Sequence, residues 1–268
     1  MPVPVDLAAV VQCRVPAATR QDLVLSKPLM RVLERIAVQW RERTLDHTDG
    51  AKARGIAVLF AGPRGTGKTL AAEVLAHETR LDLYRIDLNR VVSRDIGETE
   101  KNLARLFEAA ETAGALLFFD EADALFGKRT TVKDSHDRHA AAETGYLLQR
   151  IEAFRGIVIL STDRRENVPP TFLRRLTFAM EFVFPDLAER VEIWRRIFPP
   201  DTPVEGLDPE RLARLPLCGA DIRDIARSSA ALAASEGQPV RMAHLLRAAI
   251  RECARLDRPI DLTAISRP

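Results

Sequence analysis

Eight consecutive residues, Gly62-Pro63-Arg64-Gly65-Thr66-Gly67-Lys68-Thr69, have the G-x-x-x-x-G-K-[ST] form of a phosphate-binding loop. Glycines let a backbone curl until successive N–H groups converge on one anion, and a helix starting at the end of the loop adds its positive pole. The Lys68 ammonium then suits the β- and γ-phosphates of a nucleotide, and the Thr69 hydroxyl suits Mg2+. Leu70 carries the binding segment into the helix KTLAAEVLAHE. With average glycine usage, a chance match in such a chain is on the order of one in a hundred.

A second set of chemistry-bearing residues follows fifty positions on. The run ALLFFDE puts Asp120 and Glu121 at the end of an apolar strand. In an open α/β sheet, ligands sit at the carboxyl ends of the strands. There Asp120 suits Mg2+ held through water, and Glu121 suits a general base that polarises an attacking water. A carboxylate capping the next helix is the plainer reading of such a pair taken alone. His136, His139 and Glu143 stand at i, i+3 and i+7, but no further ligand accompanies them, so a polar loop or helix start fits better than a metal site.

The elements that must position these groups alternate along the chain. Short apolar runs at 56–62, 81–87, 115–120, 156–162 and 179–184 read as strands, most of them too apolar throughout to face water on either side. Helical patterns lie between them, at about 67–79, 98–112, 138–153 and 170–176, which is the sequence form of a parallel α/β sheet. Segment 98–112 sets Leu103, Leu106, Phe107 and Ala110 on one stripe, opposite its charges. After Pro185 no strand run appears, and 186–198, 208–214, 219–236 and 240–256 read as helices. The expected organisation is therefore a lead-in over 1–50 made of a loop, a helix from about Pro28 to Arg43 and a polar turn, then an α/β domain over 51–185 and a helical lid over 186–268.

Composition narrows the class further. The 40 Lys and Arg against 38 Asp and Glu leave a formal charge of +2, which provides no basic stripe for nucleic acid. No apolar run approaches the ~20 residues of a membrane span, and MPVPVDLAAVVQCRV lacks the form of a signal peptide. Cys13, Cys218 and Cys253 are odd in number and lack C-x-x-C spacing. They read as reduced packing residues of a cytoplasmic protein.

With SRDIGETEKNL, DEADALFGKR and PPTFLRRLTFAMEFVFPDLAERVEIW around the two motifs, the chain resembles the AAA branch of the AAA+ ATPases over about residues 20–255. More narrowly, GPRGTGKTLAAEVLA, LYRIDL and KDSHDR resemble bacterial AAA ATPases found with phage-tail-like contractile injection systems. The resemblance implies a P-loop sheet of order 5-1-4-3-2 with helices on both faces, a small all-α lid behind it, and ATP with Mg2+ between the two. It puts Asp163 at a position that usually carries Asn and orients the lytic water. A second anion there repels the γ-phosphate unless it is protonated or paired with an Arg. Arg174 and Arg175 fall on arginine-finger positions, which stabilise transition-state charge on a neighbouring subunit's nucleotide. This implies a homo-oligomeric ring, most simply a hexamer. Pro169-Pro170 replaces the family's frequent Asp-Pro upstream of them.

Gly219-Ala220-Asp221-Ile222-Arg223 falls on a helix start where relatives approach the nucleotide with Ala220 and Arg223, although the AAA branch often lacks that Arg. Asp22-Leu23-Val24-Leu25 resembles the segment that runs past the adenine. Ser93-Arg94-Asp95-Ile96-Gly97 falls on the central pore loop, where threading members carry an aromatic residue in place of Asp95. A carboxylate provides no apolar grip.

Three functions compete on this reading. One is an ATPase that remodels or disassembles a protein complex, with a contractile-injection-type assembly as one client. Another is a slowly hydrolysing, nucleotide-dependent switch or docking component. The third, an AAA+ protein acting on nucleic acid, is disfavoured by the balanced charge.

Overall fold

The computed structural model describes residues 10–45, 55–91, 98–123 and 145–255. The segment around Asp95 and the one holding His136, His139 and Glu143 lie outside the described residues, as does the start of the 138–153 helix. Two compact units emerge. The first holds 27–63, 68–182 and the described residues before Arg20; the second holds 20–26, 64–67 and the described residues from Val183 on.

The first unit is built on six strands: β1 (Val11–Arg14), β2 (Ile56–Ala61), β3 (Leu83–Asp87), β4 (Leu116–Asp120), β5 (Ile157–Thr162) and β6 (Phe178–Glu181), in the order β1-β3-β4-β5-β2-β6. Without β1 this is the order 5-1-4-3-2 that the resemblance implies. All pairings among those five strands are parallel. Every residue of β2 and of β5 is buried, as strands covered on both faces require.

On one face, Leu59, Leu117, Phe119 and Leu160 share a core with Leu103, Leu106 and Phe107 of the helix Glu98–Ala113, and with Leu147 and Ile151 of the helix 145–153. Phe107 stands at its centre, 5.8 Å from the Phe119 ring and 5.4 Å from that of Phe154. Val58, Phe60, Phe118 and Ile159, which alternate with these residues, are equally buried. The helix Lys68–Thr79 packs on β3, β4 and β5. It buries Ala71, Ala72 and Ala76, small side chains that allow a close approach to neighbouring backbone.

β1 corrects the reading of the first residues as a loop. It runs antiparallel to β3, with Val11 opposite Ile86 and Arg14 opposite Leu83. Only Val11 is buried, so the strand carries almost no periodic signal, and its pairing covers an edge that would otherwise be open. The helix expected at 170–176 is shorter, Pro170–Leu173. Past it the chain tightens, with the Leu176 N–H donating to the Leu173 carbonyl at 3.3 Å.

The second unit packs Trp194, Leu212, Ile222, Ile225 and Leu245 from the helices Leu187–Arg196, Pro209–Leu212, Gly219–Ser235 and Met242–Arg255. Its helix starts carry their own caps. Asp186 and Glu189 form a reciprocal capping box, Asp208 accepts from the Arg211 N–H, and Cys218 with Asp221 forms a second box. Among the described residues no helix is long and apolar enough to cross a membrane.

Candidate functional site

The strand register assembles the site. Ala61 of β2 lies beside Thr162 of β5, and Phe119 of β4 lies beside Leu160. The residues that follow these three strands, Gly62, Asp163 and Glu121, therefore leave the sheet at one edge. Two backbone bonds extend the pairing past the strands: Gly62 donates to the Thr162 carbonyl at 3.0 Å, and Ala122 donates to the Ser161 carbonyl at 2.8 Å.

The loop after β2 turns through backbone that only glycine adopts readily. Gly62, Gly65 and Gly67 have φ of 143°, 81° and 101°. At Gly62 a Cβ would stand 2.0 Å from the Phe182 carbonyl oxygen. Lys68 then opens its helix with the ammonium folded back over the loop, donating to the carbonyl of Gly62, to that of Pro63 at 3.0 Å and to Asp163 Oδ1 at 3.1 Å. The Lys68 side chain is only 9% exposed. A lysine so buried requires partners of this kind. Asp163 is thus ion-paired with the loop lysine itself. Thr69 and Leu70 follow, half-buried, while Pro63 and Arg64 are exposed.

In the second unit the middle of the loop rests on the start of the helix Gly219–Ser235. The Ala220 N–H donates to the Gly65 carbonyl at 3.2 Å, and a Cβ on Gly65 would meet Cys218 Sγ at 2.3 Å. Burial pushes the Cys218 thiol up, so it stays protonated, a packing group and not a nucleophile. Leu23 is buried and lies 3.7 Å from where Gly67 would carry a Cβ. Arg223 is exposed on the same helix as Ala220.

The turn after β4 is organised by side chains. Asp120 Oδ2 accepts from Arg85 Nε at 3.1 Å and from Nη2 at 2.7 Å. Its Oδ1 accepts the Glu121 N–H at 3.1 Å. Glu121 is exposed, and its φ of 54° is left-handed without being glycine. Asp123 then ties the turn to the end of β5. Its carboxylate accepts from Thr162 Oγ1 at 2.7 Å, from the Asp163 N–H at 3.0 Å and from Asn167 Nδ2 at 3.1 Å.

Arg85 and Asp123 are the two site residues that sequence reasoning missed. A charge inside the apolar run LYRID was the available sign of Arg85, and the spacing D-E-x-D was that of Asp123. The two candidate fingers differ. Arg175 donates from Nη1 to Glu152 at 2.6 Å, whereas Arg174 is exposed and makes no ion pair among the described residues.

The donor set fits a magnesium nucleotide. Glycine backbone and a helix start suit phosphate, Lys68 offers a cation, and Thr69 with Asp120 offers oxygens of the kind Mg2+ takes. Among the described residues no group of three or more His, Cys, Asp or Glu forms a separate metal site.

A parallel sheet of this order, with a glycine loop running into a helix and a carboxylate strand end beside it, defines a P-loop nucleotide-binding fold. Residues 58–186 match the ATPase family associated with various cellular activities (AAA): the chain carries an AAA-family ATPase domain. An AAA family ATPase of Sinorhizobium fredii is 32% identical over 188 residues, spanning 70% of this chain and 57% of that protein. The cell division cycle protein 48 homologue of Archaeoglobus fulgidus is 33% identical over 228 residues, 81% of this chain and 30% of that one. The proteasome-activating nucleotidase of Methanococcus vannielii is 33% identical over 190 residues, 68% of this chain and 46% of its own length. The chain thus covers about a third to just over half of the relatives it matches.

Proposed function

We propose that this protein is a Mg2+-dependent ATPase that works as a homo-oligomeric ring, most simply a hexamer, and uses hydrolysis to remodel a protein assembly. The observation that carries the reading is the shared sheet edge. There Lys68, Asp163 and the Asp120–Asp123 turn meet in one register-fixed group. A fold-level likeness alone would not do this.

In this reading Lys68 faces the β- and γ-phosphates, while Thr69 and Asp120 hold the metal. Magnesium, when bound, neutralises charge on the phosphate oxygens. Glu121 takes the proton of the attacking water. Arg174, exposed and without an ion-pair partner among the described residues, serves as the finger for a neighbouring subunit's nucleotide. Arg175 is bound to Glu152 and holds that segment in place. A protein client agrees with the relatives named for proteasome activation and cell division. The narrower resemblance makes a contractile-injection assembly one candidate client.

Glu121→Gln keeps the shape of the side chain and removes the base. It should bind ATP as the wild type does and lose hydrolysis by about 10²–10⁴-fold. Binding of a labelled ATP analogue and release of phosphate, measured side by side, test this. Wild-type turnover by the variant would reject Glu121 as the base, and failure of the wild type to bind ATP would reject the whole reading.

A second reading, a slowly hydrolysing switch, is favoured by one specific observation: the Asp163 carboxylate beside Lys68.

A further inference from the structure

We propose that Asp163 sets the preference of the site toward nucleoside diphosphate over triphosphate, because its carboxylate competes with a γ-phosphate for Lys68. The inference rests on the nucleotide-binding reading above. A lysine ammonium has three donors, and here Gly62 O, Pro63 O and Asp163 Oδ1 account for three bonds. A terminal phosphate that reaches Lys68 must displace one of these acceptors. Only the contact with Asp163 joins two ionised groups, so it is the one whose charge a γ-phosphate must replace.

Asp163 has little freedom to withdraw. Its own N–H is fixed on Asp123 Oδ2 at 3.0 Å, and the next N–H, that of Arg164, is held by Thr162 Oγ1 at 3.2 Å. With the backbone pinned on both sides, the residue stays at the end of β5, within reach of Lys68. Asp120 is already compensated by Arg85 through two donors, and Lys68 is ion-paired with Asp163 at 3.1 Å. A β-phosphate depends chiefly on the loop N–H groups and the helix start. A γ-phosphate depends on side-chain cations and brings its own negative charge toward the carboxylate. The penalty therefore falls on the triphosphate.

The test measures dissociation constants of ADP and of a non-hydrolysable ATP analogue, each with Mg2+, for the full chain and for Asp163→Asn and Asp163→Ser. Both variants remove the charge, and only Asn adds an amide donor. The expected result is an analogue affinity raised about tenfold in both, with ADP affinity changed by less than about threefold. Equal changes for the two nucleotides, no change, or a rise confined to Asn would overturn the proposal. Thermal unfolding without nucleotide identifies a variant that has lost its fold, in which case the other decides. Wild-type protein that binds neither nucleotide would instead sink the nucleotide-binding reading itself.

Discussion

After β2 the chain leaves the sheet through Gly62, Gly65 and Gly67, all at positive φ; after β4 it leaves through Glu121, at φ 54°, with no glycine in the turn. The first exit works with backbone. Its N–H groups must crowd one anion, so side chains are absent where the curl is tightest. The second exit works with side chains. Asp120, Glu121 and Asp123 each retain a carboxylate, and the turn is held by bonds to Arg85, Thr162, Asn167 and neighbouring backbone. A left-handed residue with a side chain costs on the order of 1 kcal/mol. Strain of this kind is accepted where a side chain has chemistry to perform.

The sharpest way to break the backbone exit is Gly62→Ala. The new Cβ would sit 2.0 Å from the Phe182 carbonyl oxygen at a φ of 143°. Backbone on both sides must move, so a loss of about 3 kcal/mol in denaturant unfolding is expected, with loss of nucleotide binding. Gly114→Ala provides the comparison, because Gly114 also has positive φ (64°) but nothing lies within 4 Å of its Cβ position. It should cost about 1 kcal/mol and leave binding intact. Equal costs at the two sites would mean that the contact with Phe182 does not constrain the loop.

The side-chain exit should break more mildly, at Asp123→Ala. Three donors, Thr162 Oγ1, the Asp163 N–H and Asn167 Nδ2, lose their common acceptor. All are part-buried or exposed, so water replaces some of what is lost, and about 2 kcal/mol is the expected destabilisation. Asp163 would also lose its anchor, so ADP and ATP-analogue affinities should move toward those of Asp163→Asn. An unchanged unfolding midpoint would show that Asp123 does not hold the two strand ends together.

The same contrast explains what could be read from the sequence. The glycine loop was legible because its chemistry is a fixed spacing of a rare conformational type, Gly62 to Lys68. The strands themselves were legible because β2, β4 and β5 are apolar runs bounded by polar turns, while their order came from the family resemblance. Arg85 and Asp123 were not legible, since their roles come from register. Arg85 is opposite Phe118 in the β3–β4 pair and two residues from Asp87, which is opposite Asp120. Only that pairing makes Arg85 a diagonal neighbour of Asp120. Likewise β1 has one buried residue in four, too few for a periodicity, and owes its existence to the open edge of β3. The difference between Arg174 and Arg175 depends on Glu152, which lies more than twenty positions earlier in the chain.

The smallest effect expected is also the most specific to the second exit. If Glu121 is held at φ 54° at a cost in stability, Glu121→Gly should relieve that cost, offset in part by the greater freedom of glycine in the unfolded chain. A net gain of about 0.5–1 kcal/mol over Glu121→Ala is the expected outcome. Both variants lack the carboxylate and should lose hydrolysis to the same extent, so the comparison separates backbone strain from chemistry. Glu121 is exposed, so neither variant opens a core cavity that would obscure the difference. Urea unfolding of the two variants, without nucleotide, measures it. A Gly variant no more stable than the Ala variant would show that the left-handed turn is not strained. The side-chain exit would then be as relaxed as the glycine loop, and the contrast between the two strand ends would rest on hydrogen bonding alone.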